Sequence, residues 1–126
     1  MARETRVPGP DHPITIEKNP RRVVVRAGGA VVADTRRALT LSEGLEGGYP
    51  PVQYIPLEDV DPAVLTGTES HTYCPYKGEA SYYSLRTGDG QEIADAVWTY
   101  PEPHPAVAEI AGHVAFYPKH VTIDQD

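Results

Sequence analysis

The sequence has little of what carries most small-protein chemistry. Its 126 residues include one cysteine, one tryptophan, one phenylalanine and one methionine. A lone cysteine cannot form an internal disulfide, so a disulfide framework is excluded, no oxidising compartment is implied, and a cytoplasmic location is expected. No run of about eighteen apolar residues occurs, and Met1 to Arg6 lack the apolar stretch of a signal peptide, so no membrane association is expected. Basic residues are also short: 11 Lys and Arg against 18 Asp and Glu give a formal net charge of −7. A nucleic-acid partner is thereby excluded, because neutralising phosphates requires a basic surface.

Metal chemistry lacks its ligands. Structural zinc sites use about four ligands, commonly in paired C-x-x-C units, which one cysteine cannot supply. His12, His71, His104, His113 and His120 show no pairing spacing, so neither a metal nor another cofactor is expected. Asp59-Val60-Asp61 has the carboxylate spacing of some magnesium sites, but no glycine-rich phosphate loop accompanies it, and Asp61 before Pro62 is explained as a helix N-cap.

Proline and glycine are abundant, at 13 and 11 residues, and they are spread between short apolar runs. That distribution predicts strands joined by turns around one core: a mainly β chain with an irregular arm over residues 1–13 and a single β domain over residues 14–126. Arg22 to Ala27 and Ala30 to Asp34 are β-branched runs flanking Gly28-Gly29, a hairpin signal. Short strands are expected at 14–16, 38–43 and 52–55, with a loop over 44–51. One or two helical turns should start at Pro62 and end at Gly67. A meander follows: a strand over 70–73, a turn over 75–78, a strand over 80–86, a turn at Gly88-Asp89-Gly90 and a strand over 91–98. A helical turn over 106–110 stopped by Gly112, then strands at 113–117 and 121–123, complete the chain.

The stretch Thr72 to Tyr83 stands out. It holds the only cysteine, Lys77 three residues later, and four of the eight tyrosines. An ammonium near a thiol favours the thiolate, which makes Cys74 and Lys77 candidate catalytic residues. The plainer reading is a small buried cysteine beside a solvated lysine. His71 is a poor base for Cys74, since residues three apart on a strand face opposite sides. Trp98 and Tyr100 either belong to the core or form a flat wall for stacking a ligand ring, Phe116 and Tyr117 are expected in the core, and Lys77 would meet an anion.

Several segments together resemble a known family. They are Arg22-Val23-Val24-Val25 with Val32 to Arg36, Tyr54-Ile55-Pro56 with Asp59-Val60, Cys74-Pro75-Tyr76-Lys77-Gly78 with Tyr82, Trp98 to Pro103, Ile110-Ala111-Gly112 and Val114 to Tyr117. The chain resembles the bacterial and fungal family called domain of unknown function 427, which sometimes carries a nucleotidyltransferase-like label. The resemblance implies a β-tent-like fold of two short antiparallel sheets, an architecture whose other members bind small ligands in a cleft. The Gly-Leu-Glu-Gly-Gly run before Tyr49 looks longer than the usual family loop.

The expected function is therefore small-molecule binding, of an anionic or aromatic ligand, in a cleft lined by the Cys-Pro-Tyr-Lys-Gly turn. Glu43, Tyr54, Tyr83 and Trp98 are the candidate ligand-binding residues. Two alternatives stand beside it: a thiol-dependent enzyme using Cys74, and an interaction module without a ligand of its own, with a homodimer through a strand edge among its forms.

Overall fold

The computed structural model describes residues 3–45 and 48–126. The expectation of a lengthened loop before Tyr49 falls partly on Glu46 and Gly47, outside the described residues. The mainly β prediction holds. Ten strands are formed among the described residues: β1 (Ile14–Lys18), β2 (Val23–Ala27), β3 (Ala30–Thr35), β4 (Leu39–Glu43), β5 (Val52–Pro56), β6 (Leu65–Cys74), β7 (Gly78–Arg86), β8 (Glu92–Thr99), β9 (His113–Phe116) and β10 (Thr122–Gln125). They make two antiparallel sheets, one ordered β1-β4-β5-β9-β8-β7-β6 and the other β10-β2-β3. Tight 3₁₀ turns span Leu57–Asp59, Pro62–Val64 and Pro105–Ile110.

Local chemistry explains the main joints. Gly28 and Gly29 both adopt positive φ, +57° and +83°, the backbone a two-residue hairpin turn needs and one that β-carbon-bearing residues resist. A Cβ at Gly28 would also lie 2.7 Å from the Asp89 carboxylate, because the β2–β3 turn nests against the β7–β8 turn, where the Gly88 N–H donates to the Ala27 carbonyl at 2.9 Å. The small sheet is thus docked on the large one through two turns. Asn19 adds a second tie: its buried amide donates to Gln53 on β5 and to Gln125 on β10, both at 2.9 Å.

Asp61 caps its 3₁₀ turn as predicted, its side chain accepting from the Ala63 N–H at 2.9 Å. The turn stops earlier than expected. β6 starts at Leu65 and runs straight through Gly67, which pairs with Tyr83 as an ordinary strand residue and so is no C-cap. The carboxylates of Asp59 and Asp61 take different partners, since Asp59 accepts from Thr35 at 2.6 Å and from Arg37 at 3.1 Å.

Two apolar clusters form, one on each face of the large sheet. The first lies between the sheets and includes Val23, Val25, Val32, Ile55, Leu85, Val97, Val114 and Phe116. The second includes Leu41, Tyr54, Ala80, Tyr100, Val107, Ile110 and Ala115. Strand alternation divides them, as when Val114 and Phe116 face the first and Ala115 the second. Among the described residues no third sheet covers the second cluster. The large sheet instead curls until Glu43, ending the second strand of its order, meets Lys77, which leads into the sixth, at 2.5 Å. The Pro105–Ile110 turn plugs the concavity with fully buried Val107 and Ile110.

Interrupted pairing assists the bend. Register shifts occur between Gly67 and His71 on β6 and between Tyr83 and Leu85 on β7, and Asp95 on β8 holds φ at +55°. The Asp95 carboxylate accepts from the Thr68 and Ser70 hydroxyls, each at 2.7 Å. Bulges of this kind increase local twist and let a sheet fold back on itself.

Candidate functional site

The concave side of the large sheet contains a cavity of about 390 Å³, within the usual range for small-molecule sites. Four strands supply its walls by the two-residue period of extended chain. β4 contributes Leu41 and Glu43, β5 contributes Val52 and Tyr54, β7 contributes Tyr82, and β8 contributes Trp98 with Tyr100 two residues beyond it. Tyr117 and Pro118 enter just after β9, Lys77 comes from the β6–β7 turn, and Tyr49, Pro50 and Pro51 form the rim.

The rings make a continuous wall. Trp98 lies 4.5 Å from Tyr117 between ring centroids and meets Tyr54 edge-on at 6.4 Å. Its indole N–H donates to the Tyr54 hydroxyl at 3.2 Å. The Tyr82 hydroxyl is paired with that of Thr72 at 2.7 Å.

The polar end of the cavity is a buried ion pair. Glu43 accepts from Lys77 Nζ at 2.5 Å and meets His12 Nε2 at 2.7 Å, with the Lys77 side chain 10% and the Glu43 side chain 16% exposed. Burial is the largest single influence on Glu43 and pushes its carboxyl up, but the hydrogen bonds and charges of Lys77 and His12 together outweigh it and hold the group below the ordinary carboxylate range. Glu43 is therefore ionised at neutral pH. Burial pushes the Tyr54 phenol up to about 12 and raises Tyr100 further. Tyr117 also rises to about 12, through burial and then the neighbouring Tyr82 phenol.

Four of the residues singled out from the sequence, Glu43, Tyr54, Lys77 and Trp98, meet at this cavity. Tyr83 does not join them. It packs against the first apolar cluster, on the far face of the sheet, and its neighbour Tyr82 lines the cavity in its place. Adjacent strand residues point to opposite faces, so one step in register decides which tyrosine is inside. Cys74 is half-buried against the second cluster and does not line the cavity, with its sulfur 3.8 Å from Lys77 Nζ. His71 lies apart from it, 3.4 Å from the Ser81 hydroxyl and 3.6 Å from Glu79.

Tyr100, expected with Trp98 as core or as a wall for a ligand ring, lines the cavity, and so does Tyr117, expected in the core. Sequence reasoning did not find His12, which carried no signal. It reaches the site because residues 3–13 run across the β6–β7 turn, with the Arg6 N–H on the Pro75 carbonyl at 2.9 Å and the Tyr73 hydroxyl on the Glu4 carbonyl at 2.7 Å. The His12 ring then stacks on Tyr76 at 3.9 Å and 9°.

Fold and site together define a small, mainly β domain with an aromatic-walled cavity closed at one end by a buried ion pair. The chain belongs to the family described as Domain of unknown function (DUF427), whose model matches residues 15–126. No curated protein matches the chain. No helix among the described residues is long and apolar enough to cross a membrane.

Proposed function

We propose that the chain binds a small ring-bearing molecule in this cavity, its ring against Trp98, Tyr82 and Tyr117 and its polar end toward Lys77. The observation that carries the reading is convergence: separate strands deliver Glu43, Tyr54, Tyr82 and Trp98 to one cavity that Lys77 completes. Apolar walls with a few placed polar groups are the usual composition of such sites. A thiol-dependent reaction has less support. Cys74 does not line the cavity, the Lys77 ammonium near it is already held by Glu43, and among the described residues no histidine hydrogen-bonds the thiol.

The test is a thermal-shift screen of ring-bearing metabolites. A ligand present at about a hundred times its Kd stabilises the fold by about 2.7 kcal/mol, which raises Tm by several degrees. The shift should shrink in Trp98→Leu and in Lys77→Met, and persist in Cys74→Ala. A panel without hits, or hits indifferent to Trp98 and Lys77, refutes the reading. Loss of binding in Cys74→Ala alone would instead favour the thiol.

A further inference from the structure

The hydrogen-bonding groups facing the cavity are not balanced between donors and acceptors. Tyr100 is more than nine-tenths buried and lines the cavity, yet its hydroxyl has no hydrogen-bond partner among the described residues. Tyr54 is almost fully buried, and its oxygen is used as an acceptor by the Trp98 indole. Its own proton has no acceptor among the described residues. The Lys77 ammonium carries three N–H donors. One goes to Glu43 and one approaches the Cys74 sulfur, which leaves a third. On the acceptor side, Glu43 already receives Lys77 and His12 on its two oxygens. No buried side-chain nitrogen or oxygen among the described residues lacks a partner, so the partnerless Tyr100 hydroxyl opens onto the cavity, where a ligand can supply the acceptor that the protein does not.

We propose that Tyr54, Tyr100 and Lys77 form a three-donor cradle for a carbonyl oxygen, and that the ligand class is a neutral planar ring bearing that carbonyl. This rests on the reading of the cavity as a ring-binding site and states what the ring must carry. Neutrality follows from the charges already present. Glu43 and Lys77 form a compensated pair 2.5 Å apart, so an anionic head group would gain no free cation and would face the Glu43 carboxylate. A cationic head group would bring donors to donors. Burial foremost, with the Glu43 charge among the lesser causes, keeps both phenols protonated and hence donating.

The experiment uses probes that share a ring and differ in head group: toluene, benzamide, benzoate and benzylammonium. Trp98 is the only tryptophan and forms part of the wall, so its emission reports occupancy directly. Benzamide should bind roughly tenfold more tightly than toluene, with benzoate and benzylammonium both weaker than benzamide. Tyr100→Phe removes the partnerless hydroxyl and nothing else; it should weaken benzamide roughly fivefold, leave toluene unchanged, and leave Tm equal to wild type or higher. If toluene binds and benzamide binds no better, or if Tyr100→Phe leaves benzamide unaffected, the cradle is refuted while the ring site stands. Benzoate binding most tightly would overturn the neutral class, and benzylammonium matching benzamide would overturn the donor cradle. If none of the four perturbs Trp98, the ring site itself is refuted, and the cradle with it.

Discussion

Replacing Lys77 with methionine tests whether the curl of the large sheet depends on its contact with Glu43. Methionine keeps an unbranched apolar stem, one atom shorter, and deletes the ammonium with its charge and its three N–H donors. The structure sets the size of the effect. Removing one partner of a buried ion pair costs about 3–5 kcal/mol, because the other charge is left in an apolar setting. Glu43 retains His12 at 2.7 Å and some solvent access, which brings the expectation to about 2–3 kcal/mol. For a chain of this length that lowers Tm by roughly 10 °C. Glu43→Gln should also destabilise, since Lys77 is equally buried. The double variant should lose less than the sum of the singles, with a coupling of about 1–3 kcal/mol. Denaturant titration of the four proteins measures this. Singles that add to within about 0.5 kcal/mol, or a Lys77→Met variant as stable as wild type, would refute the claim that this pair holds strands distant in the sheet order together.

Acid should act on the same contact. The folded-state pKa of Glu43 is lowered, so its contribution to stability is present above the unfolded value of about 4.3 and is lost as pH falls through the lower folded value; Glu43→Gln should flatten the dependence of urea midpoint on pH below about 5, and an unchanged slope counts against the linkage. Asp95 combines a positive φ of +55° with hydroxyl partners on β6; Asp95→Ala should lower Tm by leaving Thr68 and Ser70 without their acceptor and by placing alanine at positive φ, while Asp95→Asn, which tolerates that backbone and keeps an oxygen, should lower it less. Thermal melts that rank the two variants equally would show that the bend does not depend on this residue.

Much of the scaffold was legible because it is local. The Gly28-Gly29 hairpin, the strands at Leu39 and Val52, the Asp61 cap and the β7–β8 meander each follow from residues a few positions apart. The site was legible only in part. Trp98, Tyr54 and Lys77 announce themselves by type, but the choice between Tyr82 and Tyr83 depends on strand parity, and a register shift after Tyr83 disturbs any count made from Leu85. Glu43 and Lys77 are 34 positions apart, and His12 is 31 from Glu43. No periodicity links residues so far apart in the chain; the curl of the sheet brings Glu43 to Lys77, and the course of the arm brings His12 to Glu43.

That curl has a seam. β1 and β6 are the outer strands of the large sheet, and the gap between their sides is spanned by the Glu43–Lys77 contact and by the arm leading into β1, whose Arg6 N–H donates to the Pro75 carbonyl in the β6–β7 turn at 2.9 Å. A seam of side chains and single backbone contacts can part without breaking any ladder of strand pairing, whereas the interface with the small sheet cannot separate without exposing the first cluster. The molecule is therefore mechanically uneven: a sandwich that opens only by global unfolding is fused to a shell that can part at its edge. The cavity lies on the side that can part, so a molecule could enter or leave while the sandwich stays intact.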